Sequence, residues 1–276
     1  MRICMRAVEL DPYYARAWAL LAMAQSNLRY GFRCEVDDGV AAANAALSID
    51  ATIAEAHCPM VRRLEERGFE AKADAQMEIA LCLDPESWDV NKEASRVYFR
   101  QRRFADAVRH LEKAVSLMES DGHAWARLVT CYHALGDRAA QKVAAEMAVA
   151  QAEQVLAHDP SNGAAMSFGT LGAAALGQSE RAREWIERGM LIDPDNLNMR
   201  YNFACTLATY LDDKTGAVRL LDRIFASAGG FQIAMMEADP DLDSVREDAR
   251  FQAMLAGARK RLGIEVSPVS AKATAR

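Results

Sequence analysis

Hydrophobic residues recur along the chain at helical spacing, and short acidic breaks interrupt them at regular intervals. Four of the breaks carry proline and two are degenerate: Leu10-Asp11-Pro12, Ile49-Asp50-Ala51, Leu83-Asp84-Pro85, Leu117-Met118-Glu119, Asp159-Pro160 and Ile192-Asp193-Pro194. With positions 12, 51, 85, 119, 160 and 194 taken as equivalent, the successive spacings are 39, 34, 34, 41 and 34 residues. A period near 34 residues predicts a series of helical hairpins, each with a first and a second helix.

The same chemistry returns at fixed offsets after each break. Nine and ten residues on, most units place a large residue beside a small one, as in Leu21-Ala22 and Phe203-Ala204. Small residues let two antiparallel helices approach closely, and large residues fill the remaining gaps. Seventeen residues on, three units carry glycine, which ends a first helix in the left-handed conformation at low cost; these are Gly68, Gly136 and Gly177.

Three departures from the period predict local irregularity. The first unit has five extra residues between its helices, which predicts a long loop over residues 30–39. The fourth unit has seven extra residues, which predicts a second helix from Arg138 to His158 that overhangs its neighbours. Pro59 lies inside an expected first helix, where it should kink or shorten that helix.

The two ends differ from the units between them. The segment from Arg6 to Pro12 has the pattern of a second helix whose first helix is missing. After Gly229-Gly230 the repeat stops, and residues 239–255 predict a short terminal helix pair that covers the exposed end of the stack. We therefore expect a repeat array over residues 1–228, capping helices over 229–262, and a disordered tail over 263–276.

From Ala7 to Leu255 the chain resembles the tetratricopeptide-repeat family, most clearly over residues 16–22, 183–188 and 193–204. These segments also resemble the C-terminal repeat region of bacterial class III adenylate cyclase-like signalling proteins. The resemblance implies an all-α fold, a right-handed α-solenoid of about six hairpins with a short C-terminal capping segment. It implies a non-catalytic scaffold for protein–protein contacts, or alternatively the regulatory module of an adenylate or guanylate cyclase that acts with a catalytic partner.

Composition agrees with a helical protein and narrows its partners. The sequence is 51% hydrophobic with only 7 prolines and 15 glycines, which favours helices. The formal charge of −6 and the pI near 5.5 argue against a nucleic-acid partner. Six cysteines without a C-x-x-C pair, and a start without an apolar leader, predict a cytoplasmic protein that does not bind membranes.

No motif for nucleotide binding, hydrolysis or metal binding stands out in the sequence. His57-Cys58 and the Cys131–His133 pair do not share a helix face, so we expect neither a metal site nor a cofactor. The chain is therefore expected not to be an enzyme. A glycine-rich stretch in the fifth unit has no strand before it and fits close helix packing better than a phosphate loop; its members are Gly169, Gly172 and Gly177.

The predicted binding surface is the concave face, which the first helices of such arrays line. Their offsets from the breaks place two polar sets on this face. The basic set consists of Lys92, Arg96, His123 and Arg127. The neutral set consists of Asn198, Tyr201 and Asn202. If adjacent repeats stack, the basic set converges and suits an acidic peptide or a carboxylate terminus. The alternative is that these cations are solvated and balanced by Asp89 and Glu93. The basic run from Arg100 to Arg103 is expected to complement a helix dipole.

Overall fold

In the computed structural model, which describes residues 1–31 and 34–264, regular secondary structure is helical throughout the described ranges. The α-helices are α1 (Arg2–Leu10), α2 (Ala15–Ser26), α3 (Val40–Ile49), α4 (His57–Glu66), α5 (Glu70–Leu83), α6 (Trp88–Arg100), α7 (Phe104–Leu117), α8 (Gly122–Leu135), α9 (Arg138–His158), α10 (Gly163–Ala175), α11 (Ser179–Ile192), α12 (Leu197–Thr209), α13 (Lys214–Ser227), α14 (Gly230–Ala238) and α15 (Ala249–Leu262). A π-helical turn spans Asn27–Gly31, and 3-10 turns span Ala54–Ala56 and Pro240–Val245. The predicted all-α fold is confirmed.

Helices α2 to α13 form six antiparallel hairpins, and α1 packs on α2 as a second helix would. Each first helix contacts its own second helix, and α8, α10 and α12 also contact one another in succession. Alanines of the second helices are buried between the helix layers, among them Ala46, Ala73, Ala80, Ala107, Ala114 and Ala182. The hydrophobic core therefore runs between helix layers along the whole stack.

The residue six positions after each break holds the start of its first helix. In four units a side-chain N–H at this position donates to a main-chain carbonyl at the break: Trp18 to Pro12 (2.9 Å), Asn91 to Pro85 (2.9 Å), Trp125 to Glu119 (2.8 Å) and Arg200 to Pro194 (3.0 Å). In the fifth unit Met166 offers no such donor, and Arg188 of α11 donates to the Pro160 carbonyl instead (2.5 Å). Chemically different residues share this position because each of the four carries a donor.

The turn between the two helices of a hairpin uses the left-handed conformation, as predicted. Gly68, Gly136 and Gly177 have φ values of +75°, +74° and +77°. The equivalent position of the third hairpin is Arg102, whose φ is +56°. Because a side chain in this conformation costs about 1 kcal/mol, Arg102 is strained where its counterparts are not.

The predicted irregularities of the array are present. Helix α9 spans Arg138–His158. The first hairpin has a long connection, since α3 begins only at Val40. Pro59 lies in the first turn of α4, and a 3-10 turn replaces the start of that first helix, which is thereby shortened. A Cβ on Gly169 would overlap the Trp185 ring, which supports the packing interpretation of that glycine.

The chain after α13 takes a course that the sequence analysis did not predict. Helix α15 does pack on α13, with the rings of Phe225 and Phe251 in edge contact at 5.3 Å between centroids. Residues 230–245, by contrast, turn back across the first helices rather than covering the end of the stack. Helix α14 contacts α4 and α6, and the following 3-10 turn contacts α8 and α12.

We call residues 230–245 the inner segment, and the surface of first helices that it contacts the inner face. The separation of an array from a capping unit at residue 229 stays a prediction. Residues 265–276 of the predicted tail lie outside the described residues.

The first and sixth hairpins also meet. Asn198 of α12 donates a hydrogen bond to the carbonyl of Gly31, at the end of the turn that follows α2 (2.6 Å). Gln232 of the inner segment donates to the neighbouring Tyr30 carbonyl (3.1 Å). The array therefore curves until its ends touch, and the inner segment lies within the curve.

Candidate functional site

Arg96, which the sequence predicts to bind a ligand, is already paired with carboxylates of the same chain. Its guanidinium forms ion pairs with Glu65 (2.5 Å) and Glu93 (2.7 Å), and its side chain is 14% exposed. The guanidinium also lies 5.0 Å from the ring centroid of Phe231 in the inner segment. The positive charge of Arg96 is therefore balanced within the chain, by Glu93 as the alternative interpretation expected and by Glu65 in addition.

These contacts are part of a buried ion-pair network between α4 and α6. Arg62 donates to both carboxylate oxygens of Glu93 (3.0 and 2.7 Å), and Arg100 pairs with Glu65 (3.0 Å). Burial raises the pKa of Glu93, but Arg62 and Arg96 outweigh burial and lower that pKa to about 2. Glu93 therefore stays ionised at all ordinary pH values, and the network stays charged.

The remaining members of the predicted basic set lie near one another on α6 and α8. The Lys92 ammonium pairs with Asp121 (2.9 Å), and the Arg127 guanidinium lies over the Phe99 ring, 4.4 Å from its centroid. His123 has part of its surface exposed to solvent, but the surrounding protein desolvates its ring and the cations of Arg127 and Lys92 lie close by; both effects lower its pKa, so the ring is neutral at pH 7. Within the described ranges no carboxylate lies within ion-pairing distance of Arg127. Its positive charge lowers the pKa of Asp241 in the inner segment, against the larger effects of burial and Asp239, which raise it.

The three residues of the predicted neutral set make different contacts in the structure. The Tyr201 hydroxyl donates to Asp239 of the inner segment (2.6 Å). Asn198 contacts the first hairpin, as described above, and Asn202 is half-buried beside Tyr201. Of these three residues, Tyr201 is the one whose side chain binds the inner segment.

Two carboxyl groups of the inner segment are buried against the inner face without an ion pair. Asp239 and Asp241 are 4% and 3% exposed. Thr130 of α8 donates to Asp241 Oδ2 (2.8 Å), whereas Asp241 Oδ1 is buried and has no hydrogen-bond partner. Burial and then the neighbouring Asp239 raise the pKa of Asp241 well above its usual value. Burial at this place therefore favours the protonated form of Asp241, which limits the repulsion between the two groups.

A thiol completes this acidic group. Cys205 Sγ lies 4.0 Å from Asp239 Oδ2, and in the described part of the chain Cys205, Asp239 and Asp241 are the one set of metal-ligating residue types whose donor atoms all lie within 4.8 Å. Burial raises the pKa of the Cys205 thiol well above its usual value, so the sulfur keeps its proton.

The acidic run continues to Asp243, where Arg102 binds it. The Arg102 guanidinium forms two hydrogen bonds with Asp243 (3.1 and 2.6 Å) and one with the Ala238 carbonyl (3.3 Å). Of the basic run expected to complement a helix dipole, Arg100 lies in the last turn of α6 but is buried in the ion-pair network, and Arg102 is half-exposed and bound to Asp243. Arg103 pairs with Asp106 at the surface.

Sequence reasoning missed Arg102 because its partner lies 141 residues away. One signal was available in the printed sequence: an arginine occupies the turn position where three other hairpins carry glycine.

Two cavities lie beside the inner segment. One of about 180 Å³ is bordered by Arg29, Tyr30, Glu66 and Gln232. The other, of about 330 Å³, is bordered by Arg102, Phe104, His133, Thr209 and Asp243. The inner segment therefore leaves part of the inner face uncovered at both of its ends.

No family model matches the sequence, and no curated protein matches it. Among solved structures, the chain is similar to the human IFIT1 dimer with m7Gppp-AAAA (15% identity, 98% of this chain and 65% of that one, TM-score 0.57). It is also similar to the APC/C hetero-tetramer Cut9–Hcn1 (12% identity, 93% of this chain and 45% of that one, TM-score 0.53) and, more distantly, to YrrB, a TPR protein with an unusual peptide-binding site (21% identity, 71% of this chain and 95% of that one, TM-score 0.40).

At these identities the likeness shows the fold alone, and nothing in these matches points to a cyclase. None of the described helices is long and apolar enough to span a membrane. The hairpins, their helix-to-helix contacts and the neighbours with TM-scores of 0.57 and 0.53 agree on one architecture. The chain has an all-α solenoid fold of tetratricopeptide-like helix hairpins.

Proposed function

We propose that this chain is a non-catalytic scaffold that binds a peptide or a partner protein on its inner face. The observation that carries the proposal is the inner segment itself. A helical stretch of the chain already lies on that face, where Arg96 contacts Phe231, Tyr201 binds Asp239 and Arg102 binds Asp243. A surface that seats one helix with this mixture of aromatic and polar contacts suits another helix of similar chemistry.

The partner's charge follows from the cations that remain on α6 and α8. Arg127 has no carboxylate partner among the described residues, and Lys92, although paired with Asp121, is one-third exposed, so both can bind acidic side chains through charge-assisted hydrogen bonds. Neutral, exposed His123 beside them offers a hydrogen bond without adding charge. Arg96 no longer belongs to this set because two carboxylates already balance it. We therefore propose an acidic partner bound at Lys92, His123 and Arg127, in a cytoplasmic setting and without nucleic acid or membrane.

This proposal is tested by photo-crosslinking from position 123. A photoreactive phenylalanine analogue replaces His123, and crosslinked proteins are identified by mass spectrometry. The Lys92→Ala/Arg127→Ala double variant is then compared with the matched double variant Arg109→Ala/Lys142→Ala, whose cations are exposed and paired to neighbours on their own helices. We expect about tenfold weaker binding of the identified partner in the first variant and no change in the second. Equal binding by both variants would refute the site.

A second hypothesis, that the chain is the regulatory module of a class III nucleotide cyclase, rests on the sequence resemblance over residues 16–22, 183–188 and 193–204. It predicts that the purified chain alters cyclic-nucleotide production by a purified class III cyclase domain. Unchanged production over a wide range of chain concentration would remove this hypothesis. Nucleotide turnover by the chain alone would contradict the non-catalytic function that both hypotheses share.

A further inference from the structure

We propose that the inner segment is a displaceable internal ligand, and that the external ligand of the inner face is a peptide of the same chemistry. That peptide has a short helix with an apolar face, followed directly by acidic residues at alternate positions. This inference rests on the proposed function, because it names the partner that the inner face takes and what controls access to it.

The helical half of the inner segment is held by aromatic and apolar contacts. The rings of Phe231 and Tyr30 lie 5.2 Å apart between centroids, on the side where Arg96 covers Phe231. Met235 packs against the hydrophobic cluster that includes Phe99 of α6. These contacts define two apolar positions, four residues apart, on one face of a helix, and this is the spacing at which an amphipathic helix presents its anchors.

The acidic half is recognised at three alternate positions. Asp239 accepts from Tyr201 on α12, Asp241 accepts from Thr130 on α8, and Asp243 accepts from Arg102 after α6. Two main-chain contacts fix the same stretch, from Thr209 to the Asp241 carbonyl (2.7 Å) and from Ser244 to the Ala208 carbonyl (3.0 Å). Since the three donors come from three hairpins, the inner face recognises the spacing of the acids as well as their charge.

The contact between the inner segment and the inner face includes unfavourable features that a bound external peptide need not have. Arg102 adopts a strained left-handed conformation, and Asp241 Oδ1 is buried without a hydrogen-bond partner. A buried oxygen of this kind costs as much as a lost hydrogen bond or more. The cavities of about 180 and 330 Å³ show that the inner segment does not fill the inner face. A peptide that extends into either cavity gains contacts that the inner segment lacks.

The helices at the two ends of the inner segment are joined to each other independently of the inner face. The segment is tethered to α13 and α15, and those helices pack on each other through Phe225 and Phe251. Arg261 of α15 also donates to the carbonyls of Phe225 (2.9 Å) and Ala228 (2.7 Å), which fixes the point where the segment begins. Gly229 and Gly230 follow directly and supply a flexible joint. Displacement converts residues 230–245 into a closed loop, whose closure cost grows only slowly with loop length. It also removes Ile233, Met236, Leu242 and Val245 from the core, so the external peptide has to fill the same positions with apolar side chains of its own.

The test uses the full chain and a fluorescent synthetic peptide with the sequence of residues 229–247. Binding is measured by fluorescence anisotropy to the wild type and to Phe231→Ala/Asp243→Ala, which weakens the inner segment and leaves the inner face intact. We expect the double variant to bind the peptide about tenfold more tightly than the wild type. A peptide with asparagine at its three acidic positions serves as the matched control and should lose about tenfold in affinity. Circular dichroism verifies that both proteins keep their helices.

Hydrogen exchange of the wild type gives a second measurement that needs no variant. Saturating peptide should increase exchange of the amides of residues 230–238 while those of α8 and α12 stay protected. Equal affinity for wild type and double variant, no binding to either, or binding without increased exchange of residues 230–238 would each overturn the inference. The proposed function is tested separately by the Lys92→Ala/Arg127→Ala variant. Loss of partner binding there, combined with no peptide effect here, would support the scaffold and reject the internal ligand.

Discussion

The two halves of the inner face bury charged residues in opposite ways. Between α4 and α6, two glutamates and three arginines form a network in which each charge has an opposite neighbour. Between α8 and α12, Asp239 and Asp241 are buried together, and the groups that bind their side chains are hydroxyls and a main-chain N–H. In the first half the groups stay ionised. In the second half, burial and then Asp239 favour the protonated form of Asp241.

This difference shows that basic residues grouped by their sequence offsets need not be available to bind a ligand. In the first half Arg96 and Glu93 satisfy each other, and the face offers an aromatic contact rather than a charge to a ligand. In the second half the inner segment contributes the acids, and the face contributes neutral donors together with Arg127 nearby. Charge complementarity between the inner face and a partner is therefore concentrated near α8, and three predictions test the contrast between the halves.

The largest effect is expected from breaking the ion-pair network. Glu93→Gln leaves Arg62 and Arg96 buried without their shared carboxylate, and removing one partner of a buried pair costs about 3–5 kcal/mol. The free energy of unfolding, measured with urea, gives this value. The matched control is Glu86→Gln, whose exposed pair with Lys113 should contribute less than about 1 kcal/mol. A loss for Glu93→Gln no larger than that of the control would mean that the network is not what stabilises this half.

The second prediction concerns pH. Because the pKa of Asp241 is raised in the folded chain, its contribution to stability is complete below its unfolded pKa and is lost as pH rises through the folded value. The groups around it are Asp239, Arg127, Asp243 and Thr130. Asp241→Asn imitates the protonated group, so it should remove this pH dependence and add about 1 kcal/mol above the folded pKa.

The opposite behaviour is expected of Glu93, whose pKa of about 2 makes its contribution complete above the unfolded value and lost as pH falls toward 2. Urea unfolding at several pH values measures both pH dependences, the loss of stability at high pH from Asp241 and at low pH from Glu93. Asp243→Asn is the control for Asp241→Asn: partial desolvation raises the pKa of Asp243, but hydrogen bonds from Arg102 and Arg246 outweigh it and lower that pKa. Destabilisation by Asp241→Asn at high pH would contradict the protonated state.

The smallest effect on stability is expected at the turn after α6. Arg102→Gly relieves a left-handed conformation that costs about 1 kcal/mol and loses a half-exposed ion pair worth about as much, so the net change should be near zero. Gly136→Arg is the matched comparison, because it places arginine in the same conformation without an inner-segment partner and should cost about 1 kcal/mol. A gain in stability from Arg102→Gly as large as the loss from Gly136→Arg would show that Arg102 gains nothing from Asp243.

The repeat could be predicted from the sequence because its signals lie within short stretches of the chain. The breaks, the glycines of the hairpin turns and the length of α9 each depend on residues within one unit, and local sequence fixes them. The position of the inner segment is different. Thr130 and Asp241 are 111 residues apart, and nothing in the helical period of either stretch indicates which first helix the acids meet.

From the sequence, the candidate site could be predicted only as far as the helix face on which its residues lie. The offsets placed Lys92, Arg96 and Arg127 on adjacent first helices, which the structure agrees with. Whether each cation is available depends on partners from a neighbouring helix, such as Glu65 for Arg96, and on residues that pack from elsewhere, such as Phe231. Such partners become visible only once the curvature of the array is known.

The hydrogen bond from Asn198 to Gly31 has a mechanical consequence. A linear stack of repeats has two loose ends, where the terminal units open and close independently of the rest. When the last first helix is fastened to the first hairpin and a segment crosses between them, neither end can open alone. Pulling or heating this chain should therefore produce one concerted rupture rather than the stepwise loss of one hairpin after another.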